Sequence, residues 1–238
     1  MTLIISAKGH HINRNGERES DFIVLGCDSR GVVEIKDVFR TEVNNYKKLF
    51  PLNDYCCVML SGDSESGLSL INGFLEKSKI QRKGVSDVVE EFCRFCRARF
   101  NEIEEFSLTT QERFPDVDFI IAGMDKVGNN FTKGKMFTLR RARLFNPAFC
   151  DDFIALGQNF LAYYFCEKLY KNDLDLDTVL SIVGQAIYDT MRTNGNVGGD
   201  ITLAVIDSKK FRPMDTKDYI VEWEQQELNK IIHGRPSS

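Results

Sequence analysis

The chain has 238 residues, 42% hydrophobic, 28% charged and 11% aromatic, with 31 basic against 35 acidic side chains and a formal net charge of −4. Length and apolar share suit one domain with a sizeable core, so residues 1–238 are expected to fold as a single unit. The acidic balance argues against nucleic acid gripped through its phosphates, and no stretch approaches the ~18 apolar residues of a membrane span.

Thr2 to Ala7 is short and β-rich. A polar loop containing His10 and His11 follows, and then Phe22 to Cys27 forms a second strand, the pattern of a hairpin with a long solvated tip. The apolar run at the front, Leu3 to Ile5, is too short for a secretory signal. The cysteines are seven, an odd and scattered set that suits free thiols in a reducing cytoplasm. Val32, Val33 and Ile35 alternate briefly. Tyr55 to Leu60 is apolar on both faces, as expected of a strand covered on both sides.

Helical spacing begins at Ser64–Lys79, with Gly67, Leu68, Ile71 and Leu75 on the inner face. A second helix starts near Ser86, with Asp87 and Glu90 at the spacing of a capping box. Val88, Phe92, Phe95, Cys96 and Phe100 line its inner face. Cys93 and Cys96 form a C-x-x-C on this helix with no second pair nearby, so they read as helical thiols and no metal is expected. Asp118–Asp125, Phe131–Leu139 and Phe153–Gly157 are strands, Asn159–Tyr170 and Asp177–Met191 helices. A glycine-rich loop at 194–199 leads into a last buried strand, Ile201–Ile206. The charged tail from Asp218 to Ile232 fits strand or helix. Grouped strands flanking grouped helices argue for two packed sheets with helices outside them.

Several pieces, in order, resemble the proteasome β-type N-terminal-nucleophile (Ntn) hydrolases. They are Thr2 near the terminus, Gly26-Cys-Asp28-Ser-Arg30, Tyr46-Lys-Lys48-Leu-Phe50, Leu60-Ser-Gly62, Phe119-Ile-Ile-Ala-Gly123 and Gly198-Gly-Asp-Ile-Thr-Leu-Ala-Val-Ile206. The stretch Thr190-Met-Arg-Thr-Asn194 with Val197-Gly198 is similar to the bacterial Anbu branch of that family. No extra N-terminal helix of the α-type subunit precedes the first strand, so β-type is the better label.

The resemblance implies an α+β fold, a four-layer αββα sandwich with two stacked antiparallel sheets between helix pairs. It implies a threonine-type endopeptidase without cofactor. Removal of Met1 by methionine aminopeptidase would expose Thr2, whose hydroxyl is then the nucleophile and whose α-amine is the base. An α-amine titrates at about 7.7–8.0, so a useful fraction is neutral near pH 7. Lys48 would favour the alkoxide, with Lys47 as the neighbouring alternative. Asp28 would hold the lysine, and Gly62 would offer its backbone N–H to the oxyanion where a Cβ would crowd substrate. Arg30 would support the site.

Three positions depart from the family pattern. Gln158 stands where the family has a serine, and Asn194 and Val197 stand where it commonly has Asp and Ser. Expected partners are a peptide or unfolded protein substrate, further copies in a ring or open spiral, and an ATPase unfoldase of unspecified identity. Two alternatives stay open, a non-catalytic scaffold subunit and an Ntn amidase acting on a small molecule.

Overall fold

The computed structural model describes residues 2–13, 15–35, 39–110, 116–171 and 173–216, without the side chains of 32–35, 39–40 and 103–110. Its first sheet has the strand order β10-β1-β2-β11-β12, built from Phe153–Gly157, Leu3–Ile12, Arg18–Asp28, Ile201–Asp207 and Lys210–Met214. The second runs β5-β6-β7-β8-β9, from Leu49–Asn53, Cys56–Gly62, Val117–Val127, Asn130–Arg140 and Pro147–Cys150. A short ribbon pairs β3 (Gly31–Ile35) with β4 (Phe39–Val43). Neighbouring strands are antiparallel in all three.

Strand alternation sorts the apolar residues into layers, because successive side chains point to opposite faces. Ile4, Ile23, Leu25, Met59, Ile120 and Met136 meet between the sheets. Their neighbours Leu3, Ile5, Phe22 and Val24 face outward and are covered by α3 (Phe160–Leu169) and α4 (Leu176–Thr193). Val58, Leu60, Phe119 and Ile121 face the other way, under α1 (Ser64–Lys77) and α2 (Val85–Thr110). The strands are apolar on both faces because both faces are packed. The result is the expected four-layer αββα sandwich.

Several local expectations need correction. The long hairpin tip is short: β1 reaches Ile12 and β2 begins at Arg18, so His10 and His11 lie on a strand. His10 Nδ1 lies 3.0 Å from Asp21 Oδ1, and burial pushes its pKa below the usual value. The inner stripe of α1 is Gly67, Leu70, Ile71 and Phe74, while Leu75 is exposed. Asp87 lies inside the first turn of α2 and does not cap it. Instead Asp125, on β7, accepts from the Ser86 N–H at 3.0 Å and from the Ser86 hydroxyl at 2.6 Å. Strands β4, β5, β9 and β12 are additional to those expected. Met1 and the tail from 217 onward lie outside the described residues.

Candidate active site

The two sheets meet at one end around Thr2, which is half-buried at the start of β1. The peptide group joining Thr2 to Leu3 is held from both sides. Its carbonyl accepts from the Gln158 N–H at 2.8 Å, and its N–H donates to Asp28 Oδ1 at 2.9 Å. Gly157, at the end of β10, has φ 88°, and a Cβ there would run into the Thr2 carbonyl oxygen.

Asp28 closes β2 and is fully buried. Besides Leu3, it receives the Lys48 Nζ at 2.7 Å, the Gly198 N–H at 3.1 Å and the Arg30 N–H at 3.3 Å. A buried carboxylate needs such donors to offset its lost hydration. Lys48, just ahead of β5, has a side chain only 2% exposed, so the pair bridges the two sheets. Burial pushes the Lys48 pKa below its usual value, and the Asp28 charge pulls it back in part. Lys47 takes no part in this pair, its ammonium lying over the Phe50 ring. Beneath, the Cys27 thiol is pushed up to about 12 by burial, which leaves it protonated and inert near neutrality.

Gly62 ends β6 with φ 96°. Its lack of a Cβ is required by the Asp116 carbonyl oxygen, which a Cβ would strike. The backbone therefore demands glycine before substrate is considered. Arg30 braces the loop before β11: its Nη1 donates to the Gly195 carbonyl at 2.6 Å and lies 3.3 Å from Glu42, while its Nε is buried without a hydrogen bond.

The departing positions have structural work. Asn194 Nδ2 donates to Gln158 Oε1 at 3.0 Å, joining the end of α4 to the end of β10. The Asn194 Oδ1 accepts from the Asn196 N–H at 3.0 Å. Val197 is 1% exposed and belongs to the core under α3 and α4.

Two cavities flank Thr2. One, of about 370 Å³, also touches Ser61, Gly62, Asp116, Asp118, Arg140, Gln158 and Asn159. The other, of about 50 Å³, is bounded by Gly31, Tyr46, Lys48, Leu60, Gly62 and Ser64. Ser61, Asp118, Arg140 and Tyr46 were not among the expected site residues. Asp118 and Arg140 stand opposite each other in the β7–β8 register, with Nε 3.9 Å from Oδ2. Burial pushes the Asp118 carboxyl up, against the pull of Arg140. Only strand register brings that pair to the site, so nothing in local spacing points to it.

A larger cavity of about 840 Å³ lies between α2 and the β8–β9 strands, away from Thr2. Its Ser86 and Lys135 are engaged with Asp125 in holding the start of α2. Among the described residues no cluster of three or more His, Cys, Asp or Glu is placed to hold a metal, and no helix is long and apolar enough to cross a membrane.

Two antiparallel sheets between helix pairs make the proteasome type of Ntn-hydrolase sandwich, and in this chain Thr2 and the buried Lys48 bound one cavity at its end. The chain belongs to the proteasome subunit family, whose model matches residues 16–206. That match contains Asp28, Lys48, Gly62, Gln158 and Asn194 and begins after Thr2. Among solved structures it is similar to a chain of the helical assembly of the Anbu complex from Pseudomonas aeruginosa, at TM-score 0.74 and 16% identity, over 100% of this chain and 98% of that one. At that identity the likeness is one of fold. No curated protein matches the sequence.

Proposed function

We propose that the protein is a threonine peptidase subunit acting through Thr2 as the first residue of the mature chain. The observation that carries this reading is the clamped Thr2–Leu3 peptide above the buried Asp28–Lys48 pair. In the reaction the Thr2 hydroxyl attacks the scissile carbonyl and its proton passes to the α-amine. Lys48 lowers the cost of the alkoxide, and the Gly62 N–H receives the oxyanion. Collapse expels the leaving amine, which takes the proton from the terminal ammonium. Water, deprotonated by the same amine, then hydrolyses the ester.

The same reading includes self-association and action in the cytoplasm. The helical assembly of the Anbu complex supports the first, and seven free cysteines, six of them buried, support the second. The substrate is a peptide or unfolded protein.

A second reading, a non-catalytic scaffold subunit, is favoured by the Gln158–Asn194 amide pair. It ties up both side chains where a hydroxyl and a carboxylate would assist the terminal amine. Intact-mass analysis followed by a peptide epoxyketone separates the two. The peptidase reading expects a mass without Met1, one covalent adduct, and loss of the adduct together with a fall in peptide cleavage of at least about 10³-fold in Thr2→Ala. Retained Met1 removes the free-threonine mechanism. A trimmed chain that neither labels nor cleaves is a scaffold.

A further inference from the structure

The two cavities beside Thr2 differ about sevenfold in volume, about 370 Å³ against about 50 Å³. Peptide cleavage also divides the substrate unequally. One half stays on the threonine as an ester and the other departs as an amine. The wider cavity, with Asp116, Asp118 and Arg140 on its wall, suits the half that must leave through water. The narrow one reaches Lys48 and suits the side chain that stays.

The narrow cavity cannot readily widen. The Tyr46 side chain lies against Gly31, close enough that a Cβ at Gly31 would sit 3.3 Å from it. The Tyr46 backbone is pinned by its N–H, which donates to the Ser29 carbonyl at 2.7 Å, and Asn45 N–H reaches the Ser29 hydroxyl at 3.3 Å. Leu60, 2% exposed, packs on Gly67 of α1, where its methyl groups occupy the space of the missing Cβ. An apolar cavity of about 150 Å³ takes a benzene-sized group. One of about 50 Å³ holds a hydrogen, a methyl or a hydroxymethyl.

We propose that Tyr46 and Leu60 restrict the substrate to a small residue, glycine, alanine or serine, on the acyl side of the cleaved bond. The inference rests on Thr2 being the nucleophile. Its test uses three peptide epoxyketones identical except for alanine, leucine or phenylalanine next to the warhead, with labelling rates read by intact mass. Alanine is expected to label the wild type at least about tenfold faster than the other two. In Tyr46→Ala, which keeps the backbone bond to Ser29, the leucine probe should gain about tenfold on the alanine probe. Equal or faster labelling of the wild type by leucine or phenylalanine overturns the size restriction and leaves the nucleophile standing. No labelling by any probe, in either protein, overturns the nucleophile and the restriction together. Should Tyr46→Ala fail to fold by circular dichroism, the wild-type ratio decides alone.

Discussion

Gly157 and Gly16 share nearly the same φ, 88° and 80°, yet their surroundings are opposite. Around Gly16 nothing lies within 4 Å of an added Cβ, whereas at Gly157 the Thr2 carbonyl fills that place. Alanine at either position meets the same left-handed penalty, about 1 kcal/mol or somewhat more. Only Gly157→Ala must also displace the Thr2–Leu3 peptide. We expect Gly157→Ala to lower the urea midpoint clearly more than Gly16→Ala, and to abolish epoxyketone labelling while Gly16→Ala keeps it. At this scale the sequence was partly readable. Asp28, Lys48 and Gly62 stand in local motifs whose residues stay adjacent in the fold. Tyr46 stands in the same motif as Lys48, whereas Asp118 and Arg140 reach the site through strand register, which no short window records.

Helix α2 begins with a carboxylate borrowed from another element. Asp125 receives the first turn's N–H and hydroxyl from Ser86, and the Lys135 ammonium lies 2.8 Å from it. Burial pushes the Asp125 carboxyl up, but the hydrogen bonds from Lys135 and Ser86 more than offset that, so its pKa lies below the ordinary 3.8. A depressed carboxyl contributes stability that is present above the unfolded value and lost as pH falls through the folded one. Asp125→Asn is therefore expected to lower stability by about 1 kcal/mol near neutrality. In urea titrations its gap from wild type should stay level above about pH 5 and narrow below about pH 4. A gap that widens in acid would contradict this account. The capping box at Asp87–Glu90 was the natural reading of the same segment because it is local. A partner nearly forty residues downstream in sequence leaves no mark on the helix it caps. The inner stripe of α1 was legible at Gly67 and Ile71 but continues through Leu70 and Phe74, with Leu75 exposed, because apolar residues on both sides of the stripe leave its centre ambiguous.

The proposed chemistry is divided between the sheets. Thr2 and Asp28 belong to the first, Gly62 and Lys48 to the second or its entry, and Met59 lies with Ile4 and Leu25 in the layer between. Phe74, by contrast, is carried by α1 and packs in the core between the helices and the outer face of the second sheet. Met59→Ala and Phe74→Ala should each cost about 2–5 kcal/mol by urea unfolding, since both empty a filled core. Where both variants remain folded, Met59→Ala should slow labelling at Thr2 more than Phe74→Ala does. Equal effects would mean that sheet spacing does not govern the site. The layered class was legible because a strand apolar on both faces, such as Tyr55 to Leu60, must be covered on both. Strands β4, β5, β9 and β12 were not, being edge strands of four or five residues. Short edges carry little hydrophobic pattern, and their identity comes from the neighbour they pair with.

The clamp on the Thr2–Leu3 peptide sets the site's origin from within. Gln158 and Asp28 grip one particular amide plane, so residue 2 occupies the same point whatever precedes it on the polypeptide. On the proposed mechanism, a leader, a retained methionine or a laboratory tag would leave that grip unchanged while keeping the Thr2 nitrogen in a peptide bond and so without its basic amine. On that mechanism, folding and activation would then be separable events: the scaffold could be complete before a single peptide bond is cut, and that cut would expose the amine.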